Sequence, residues 1–535
     1  MKAYETVQAS ALAEDAPPAT QMPSRYSVLL GSTFWAWAGP VLVMLFGGVL
    51  RFYRLSQPKA VVFDETYYVP DASSILRHGV EFNHVKNVNE LLLHGNLNFL
   101  QKTGEVVAHP PLGKIMMAVG QWAFGLSPFG WRFSAAVVGT LSILMLARIV
   151  RRMTRSTLLG CVAGLLLALD GLELVLSRTA ILDIFLMFWV LAAFGFLVID
   201  KDKTADRLAT AAGDYSSAKY GPWLGIRWLR VAAGLCLGAA VATKWSGIWF
   251  LLAFGCMTLI WDLGARRAAG YVNWLLSGLL DGLWMLASFV LAPLIVYAAS
   301  WSGWFANTNG YFRNWAAQHG NHTPVWSTID SWYQYNHWML QFGLGLSANQ
   351  SYKSNPLGWT VLARPISFYW YEPHPKTCAQ HCVAHEVLAI GTPLLWWGGT
   401  LALAFCLVWW LTNLIGDVVF GRTPPQRDWR AGALLLGVAA GWLPWIWYAW
   451  HDNRTEFYYY ASSFEPFMII AIVLCLGLII GPARAAPGRR ALGAVVSGGY
   501  LIIVLWNLAY MYPVLTAQAI PYSAWLSKMW FSRWI

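Results

Sequence analysis

Two carboxylates stand side by side in the run Phe63-Asp64-Glu65-Thr66-Tyr67-Tyr68, a few residues after a long apolar stretch. Acids at such a place suit general base chemistry, because partial burial raises a carboxylate pKa toward the working pH. An ordinary solvated loop acid is the competing reading of the same residues. More charge falls at the ends of later apolar runs: Arg132, Arg178, Asp183 and Lys244. Charges at that depth need a partner or a wet cavity. Each one alone reads equally as a snorkelling side chain or an ion pair, such as Arg178 with Asp183 or Glu173. Taken jointly, carboxylates over several fixed cations suit a substrate with a lipid tail and a phosphate, which Arg and Lys hold by charge-assisted hydrogen bonds. His109-Pro110-Pro111-Leu112-Gly113-Lys114 adds a rigid turn carrying a possible ligand and a cation.

The elements that must position these residues are membrane helices. Of 535 residues 57% are hydrophobic and only 12% charged, against about 25% charged in ordinary globular proteins. That composition excludes disorder, a basic nucleic-acid groove and a common cytosolic enzyme, and no nucleic-acid partner is expected. At about 20 apolar residues per crossing, candidates lie near 35–50, 132–150, 158–176, 181–199, 229–243, 247–263, 274–299, 388–411, 431–450, 457–480 and 492–511. The chain is therefore expected to be an all-α polytopic membrane protein with about eleven transmembrane helices. The first apolar run lacks the flanks of a cleaved signal peptide and is expected to remain as a helix. The stretch 112–126 is apolar but short, contains Lys114 and Gln121 and lies between prolines, so it is expected as a surface or re-entrant helix.

With that stretch left out, the short loops on the amino-terminal side carry 18 basic residues and those on the other side 3. The positive-inside rule then puts the amino terminus in the cytoplasm and, with an odd number of crossings, the carboxyl terminus outside. The net charge of +11 follows from the same loops. Four parts are expected: a cytoplasmic tail over 1–30, a catalytic transmembrane module over 31–299 with an outer loop at 51–130, a large outer loop over 300–385, and a four-helix module over 386–535. Both long loops fall on the outer face, where function is expected.

Of seven cysteines, five lie in apolar crossings. Cys378 and Cys382 stand in the second outer loop near His374, His381 and His385, a spacing that fits a disulfide or a zinc site. An oxidising compartment and the scattered histidines favour the disulfide. Sequons occur at Asn321, Asn349 and Asn453.

In their order and spacing these pieces resemble the protein O-mannosyltransferase family, membrane glycosyltransferases of the type C fold. The carriers are Phe63-Asp64-Glu65, His109 to Lys114, Trp131-Arg132-Phe133, Ser177 to Asp183, Lys244-Trp245-Ser246-Gly247, Leu362-Ala363-Arg364-Pro365 and Asn453 to Tyr460. The resemblance spans nearly the whole chain. It implies transfer of mannose from a polyprenyl-phosphate mannose to Ser or Thr hydroxyls of secreted or membrane proteins, on the extracytoplasmic face of the plasma membrane. Asp64 is then the base and Glu65 its neighbour in the site. Arg132 matches an arginine needed near the donor, with Arg178, Lys244, His109, Lys114 and Arg454 as further donor contacts and Tyr68, Asp183 and Arg364 in support. No soluble insertion separates the seventh and eighth crossings, where about 85 residues stand, so the likeness is to a bacterial, actinobacterial branch. No cofactor is required by these residues, and a magnesium or manganese ion is left open. Membrane lipids and the protein translocation machinery are the further partners implied. The rival classes are a type C enzyme with another lipid-linked sugar or a glycan or lipid acceptor, a transporter of a lipid-linked substrate, and a scaffold without catalysis. A transporter would show midplane charges, broken helices and repeat symmetry.

Overall fold

The computed structural model describes residues 33–214, 220–347, 350–372, 383–420, 428–452 and 454–535. The expected tail at 1–30, the Cys378 and Cys382 pair, and sequon residues Asn349 and Asn453 lie outside the described residues.

The chain opens on α1 (Thr33–Phe52). A first connecting segment then folds as α2 (Glu65–His78), the antiparallel strands β1 (Phe82–His84) and β2 (Leu100–Gly104), and α3 (Leu112–Phe124). Helix α2 ends on Gly79, whose φ of +76° is a left-handed cap that glycine takes without strain. The stretch expected as a surface or re-entrant helix forms a 13-residue helix, about 20 Å long. Next come α4 (Pro128–Thr154), α5 (Thr157–Ala168), the short α6 (Gly171–Leu176), α7 (Leu182–Asp214), α8 (Trp228–Thr243) and α9 (Gly247–Ala268). An irregular apolar span over Leu276–Ser300 ends in α10 (Ala292–Ser300). The second long segment holds α11 (Trp326–Gly345) and the strands β3 (Ile366–Tyr371) and β4 (Val383–Ala389). The last four long helices are α12 (Pro393–Phe420), α13 (Trp429–His451), α14 (Glu465–Ile480) and α15 (Pro487–Leu515), and β5 (Ile520–Pro521) completes a three-stranded sheet on β4.

Among the described residues eight helical segments are long and apolar enough to cross a membrane, and α5, α8 and α14 are shorter apolar helices. Three expected crossings begin or break elsewhere. The stretch 158–176 is two helices, because the Asp170 side chain accepts the N–H groups of Leu172 and Glu173 and starts α6 afresh. Leu388 belongs to β4, the helix beginning only at Pro393, where proline suits the first turn. Residues 458–463 form a 3₁₀ turn ahead of α14.

One apolar core runs through both halves of the chain, with Phe194, Phe254 and Phe467 ring against ring. A second cluster joins Val80, Phe82 and Val107 of the first segment to Trp301, Trp304, Tyr335 and Met339 of the second, so the two segments share one end of the bundle. Charge is not confined to that end. Asp200, Asp262 and Asp281 pair with Arg227, Arg230 and Arg266 in a buried network. Asp200 lies 17 residues beyond Asp183 on α7, about 25 Å away along the axis. Buried Arg51 pairs with buried Glu173 inside the bundle. Buried charge is therefore spread along the bundle, each of these acids meeting a cation.

Candidate functional site

Asp64 stands at the N-terminus of α2, directly after Phe63, whose φ of +48° is left-handed. Tyr459 donates its hydroxyl to Asp64 Oδ2 over a long 3.5 Å. The Asp64 carboxyl is raised to about 7, chiefly by burial, with Lys244 opposing the shift, Asp183 adding to it and the Tyr459 hydroxyl opposing it. Asp64 is thus ready to exchange a proton near neutrality. Lys244, just past the end of α8, gives Nζ to both Asp183 oxygens at 2.8 and 3.1 Å and lies 3.9 Å from the Tyr460 ring centre. Tyr68 faces His109 with ring centres 6.4 Å apart. Burial, then Lys244, Lys114 and Arg454, hold His109 well below the usual imidazole range, so it is neutral. Burial and the neighbouring Asp64 hold the Tyr68 phenol well above its usual range, hence protonated. Asp64, Tyr68, His109, Asp183, Lys244 and Arg454 therefore share one electrostatic neighbourhood.

Glu65 is different from its neighbour. It is wholly buried and meets Arg132 as a two-pronged pair, Nε to Oε1 at 2.7 Å and Nη2 to Oε2 at 2.9 Å. Glu65 also accepts the N–H groups of Val62 at 2.9 Å and Ala180 at 3.0 Å. Arg132 gives its other N–H groups to the carbonyls of Leu55, Pro58 and Ala60, so all five of its donors are engaged within the protein. The pair locks the turn before α2 onto α4 and the approach to α7. Arg178 donates to the carbonyls of Leu50, Arg51, Tyr53 and Arg54, closing the C-terminal end of α1. It pairs with neither Asp183 nor Glu173; those acids meet Lys244 and Arg51.

Lys114 sits buried between Glu81 at 2.5 Å and Asp71 at 3.4 Å. Burial, reinforced by Glu105 and Glu81 and opposed by Lys114, lifts Asp71 to about 8. Arg454 gives Nε to the Gly343 carbonyl at 2.6 Å and lies 5.1 Å from the Trp445 ring, with Nη1 lacking a hydrogen-bond partner among the described residues. Arg364 serves another contact, binding the carbonyls of Ser351, Arg533 and Ile535. Sequence reasoning named no role for Tyr459, Tyr460, Glu456 or Phe368. The Tyr458-Tyr459-Tyr460 run was the available signal for the first two. Glu456 is buried with neither oxygen hydrogen-bonded among the described residues, and burial lifts it to about 8. Among the described residues no group of three or more His, Cys, Asp or Glu is placed to hold a metal ion.

A carboxyl poised near neutrality at the end of an apolar helical bundle, beside phenols and cations, is an arrangement suited to group transfer in a membrane enzyme. The fold is that of the Saccharomyces cerevisiae protein O-mannosyltransferase complex bound to the sugar donor, with a TM-score of 0.72 at 14% identity, covering 96% of this chain and 95% of that one. Residues 41–300 match the dolichyl-phosphate-mannose-protein mannosyltransferase family, and residues 328–534 match the C-terminal four-transmembrane region of protein O-mannosyltransferases. The chain belongs to this protein mannosyltransferase family. It is 36% identical over 514 residues to a polyprenol-phosphate-mannose–protein mannosyltransferase of Mycolicibacterium smegmatis, covering 93% of each chain. The protein of that name from Mycobacterium tuberculosis is also 36% identical, over 93% of this chain and 92% of its own. That of Corynebacterium glutamicum is 31% identical over 94% and 93%. The family expectation and its bacterial branch both stand.

Proposed function

We propose that this chain transfers mannose from a polyprenyl-phosphate mannose to Ser or Thr hydroxyls of translocated proteins, with Asp64 as general base. The relatives' names support the donor and the protein acceptor. The observation that carries the catalytic reading is Asp64 itself, raised to about 7 and flanked by Lys244, Asp183 and Tyr459. The acceptor hydroxyl attacks the anomeric carbon as Asp64 takes its proton; the bond from that carbon to the phosphate oxygen breaks, and polyprenyl phosphate leaves. Phosphate needs no strong acid to depart, only positive charge beside the developing anion. Lys244 has a third ammonium hydrogen beyond its two carboxylate contacts, and Arg454 Nη1 is an unused donor. Arg132 and Glu65 position the base, and Arg178 positions the end of α1. A single displacement inverts the anomeric carbon, so a β-linked donor gives an α-linked product.

Counting the three short apolar helices with the eight long ones gives eleven crossings in this reading, and the excess of basic residues in the loops on the amino-terminal side supports an amino terminus in the cytoplasm and a carboxyl terminus outside. Both connecting segments and Asp64 then face the extracytoplasmic side of the plasma membrane, where translocated chains emerge. The test is transfer of labelled mannose from the lipid donor to a Ser/Thr-rich secreted peptide by purified protein, with Asp64→Asn in parallel. Transfer that disappears in a folded Asp64→Asn variant is expected. Full transfer by that variant, or none by the wild type with donor bound, overturns the reading.

A further inference from the structure

We propose that Phe368 is a positioning residue for the reaction: its ring, stacked on Phe63, holds the left-handed turn that aims Asp64. The inference rests on Asp64 being the base. A bulky residue at the positive φ of Phe63 is an outlier that persists only where its surroundings impose it. The surroundings here are rings. Phe368 lies face to face on Phe63, centres 4.4 Å apart and planes within 4°. Tyr459 meets Phe63 edge-on at 5.7 Å and Phe368 at 5.6 Å, so the Asp64 hydrogen-bond donor is part of the same stack. Phe457 closes it from a further side at 6.4 Å.

Phe368 is itself aimed deliberately. It lies on β3 between Ser367, opposite Leu388, and Tyr369, opposite Val387, the step at which the register with β4 shifts. An irregularity of that kind re-aims a side chain, and here it turns Phe368 into the core, where it is 5% exposed. The turn before α2 is therefore gripped twice. Arg132 and Glu65 fix its far side by charge, and the β3–β4 hairpin fixes Phe63 by stacking.

The test compares Phe368→Leu, which keeps apolar bulk and loses the flat face, with Phe368→Tyr, which keeps the ring. Asp64→Asn runs beside them, and folding is checked by thermal unfolding. The Leu variant is expected to lose about ten- to a hundredfold in kcat, as sub-ångström misplacement does, with donor KM nearly unchanged. The Tyr variant is expected to stay close to wild type. In the Leu variant the acid limb of the kcat profile also moves to lower pH, because a loosened turn lets water reach Asp64. The groups that act on that carboxyl, Tyr68 on α2, Asp183 on α7, Lys244 after α8 and Tyr459 before α14, are unchanged by the substitution. A role in folding alone would lower the yield and leave the limb in place. A Leu variant with the kcat and limb of wild type overturns the clamp while an inactive Asp64→Asn leaves the base reading intact. An active Asp64→Asn overturns the base reading itself, and with it the purpose assigned to Phe368.

Discussion

Replacing Arg132 with Ala separates two roles that predict the same loss of activity. All five guanidinium donors are engaged, two with Glu65 and three with the carbonyls of Leu55, Pro58 and Ala60, and both side chains are buried. Removing the cation leaves a buried carboxylate with only the Val62 and Ala180 N–H groups. Breaking one side of such a pair costs about 3–5 kcal/mol. Lys is no substitute, since its ammonium cannot reproduce the planar fork. Adding Glu65→Gln to Arg132→Ala removes the orphaned charge. The double variant should therefore be more stable than the sum of the singles by about 1–3 kcal/mol, while remaining inactive because the turn before α2 is still unlocked. The assay is thermal unfolding in detergent at several scan rates, since large proteins unfold irreversibly, alongside mannose transfer. An Arg132→Ala protein that unfolds with the wild type yet no longer turns over would refute the clamp and make Arg132 a direct donor contact.

Three further outcomes are expected. As the proposed base Asp64 acts only when ionised, and its pKa is raised to about 7, so turnover should rise with pH through neutrality and fall about tenfold per unit below it; a flat profile from pH 5 to 8 would contradict this. Asp71 is lifted from the usual carboxyl range to about 8, so the folded form holds more protons than the unfolded chain across the window from about 4 to 8 and this residue makes stability fall as pH rises there. Asp71→Asn should flatten that dependence and be at least as stable as wild type above pH 8, read from melting curves across pH. Lys244→Met should lose about a hundredfold in transfer and destabilise the fold by stranding Asp183, whereas adding Asp183→Asn should recover stability without activity; activity regained in the double variant would remove Lys244 from the site.

How much of this was legible in the chain depended on range. Asp64 stood out because two acids follow an apolar crossing, and Arg132, Lys244 and Asp183 because charge is rare in such helices. Their division of labour was not legible. Whether an arginine binds substrate or backbone is decided by where carbonyls lie, and those of Leu55, Pro58 and Ala60 come from a turn more than 70 residues upstream of Arg132. The break at Asp170 was hidden for a related reason: one capping acid scarcely lowers the hydropathy of 158–176, yet it restarts the helix. The network of Asp200, Asp262 and Asp281 escaped because each acid sits singly near a basic loop. Phe368 had no signal of its own in a chain with 15% aromatic residues, and Tyr459 had only its place in the Tyr458-Tyr459-Tyr460 run.

The long-range contacts also divide the site unequally between the halves of the chain. The charges, Asp64, Asp183 and Lys244, and the clamp of Glu65 and Arg132 come from the first half. The groups that cover Asp64, Tyr459 with Phe368 and Phe457 beneath it, come from the second. Burial is the largest cause of the raised Asp64 pKa, and Tyr459 of the second half stands at that carboxyl. Phe368 of β3, with Phe457 and Tyr459, packs on Phe63 and so joins the second half to the turn that carries the proposed base. Substitutions along that seam should therefore shift the pH at which the enzyme works before they abolish its activity.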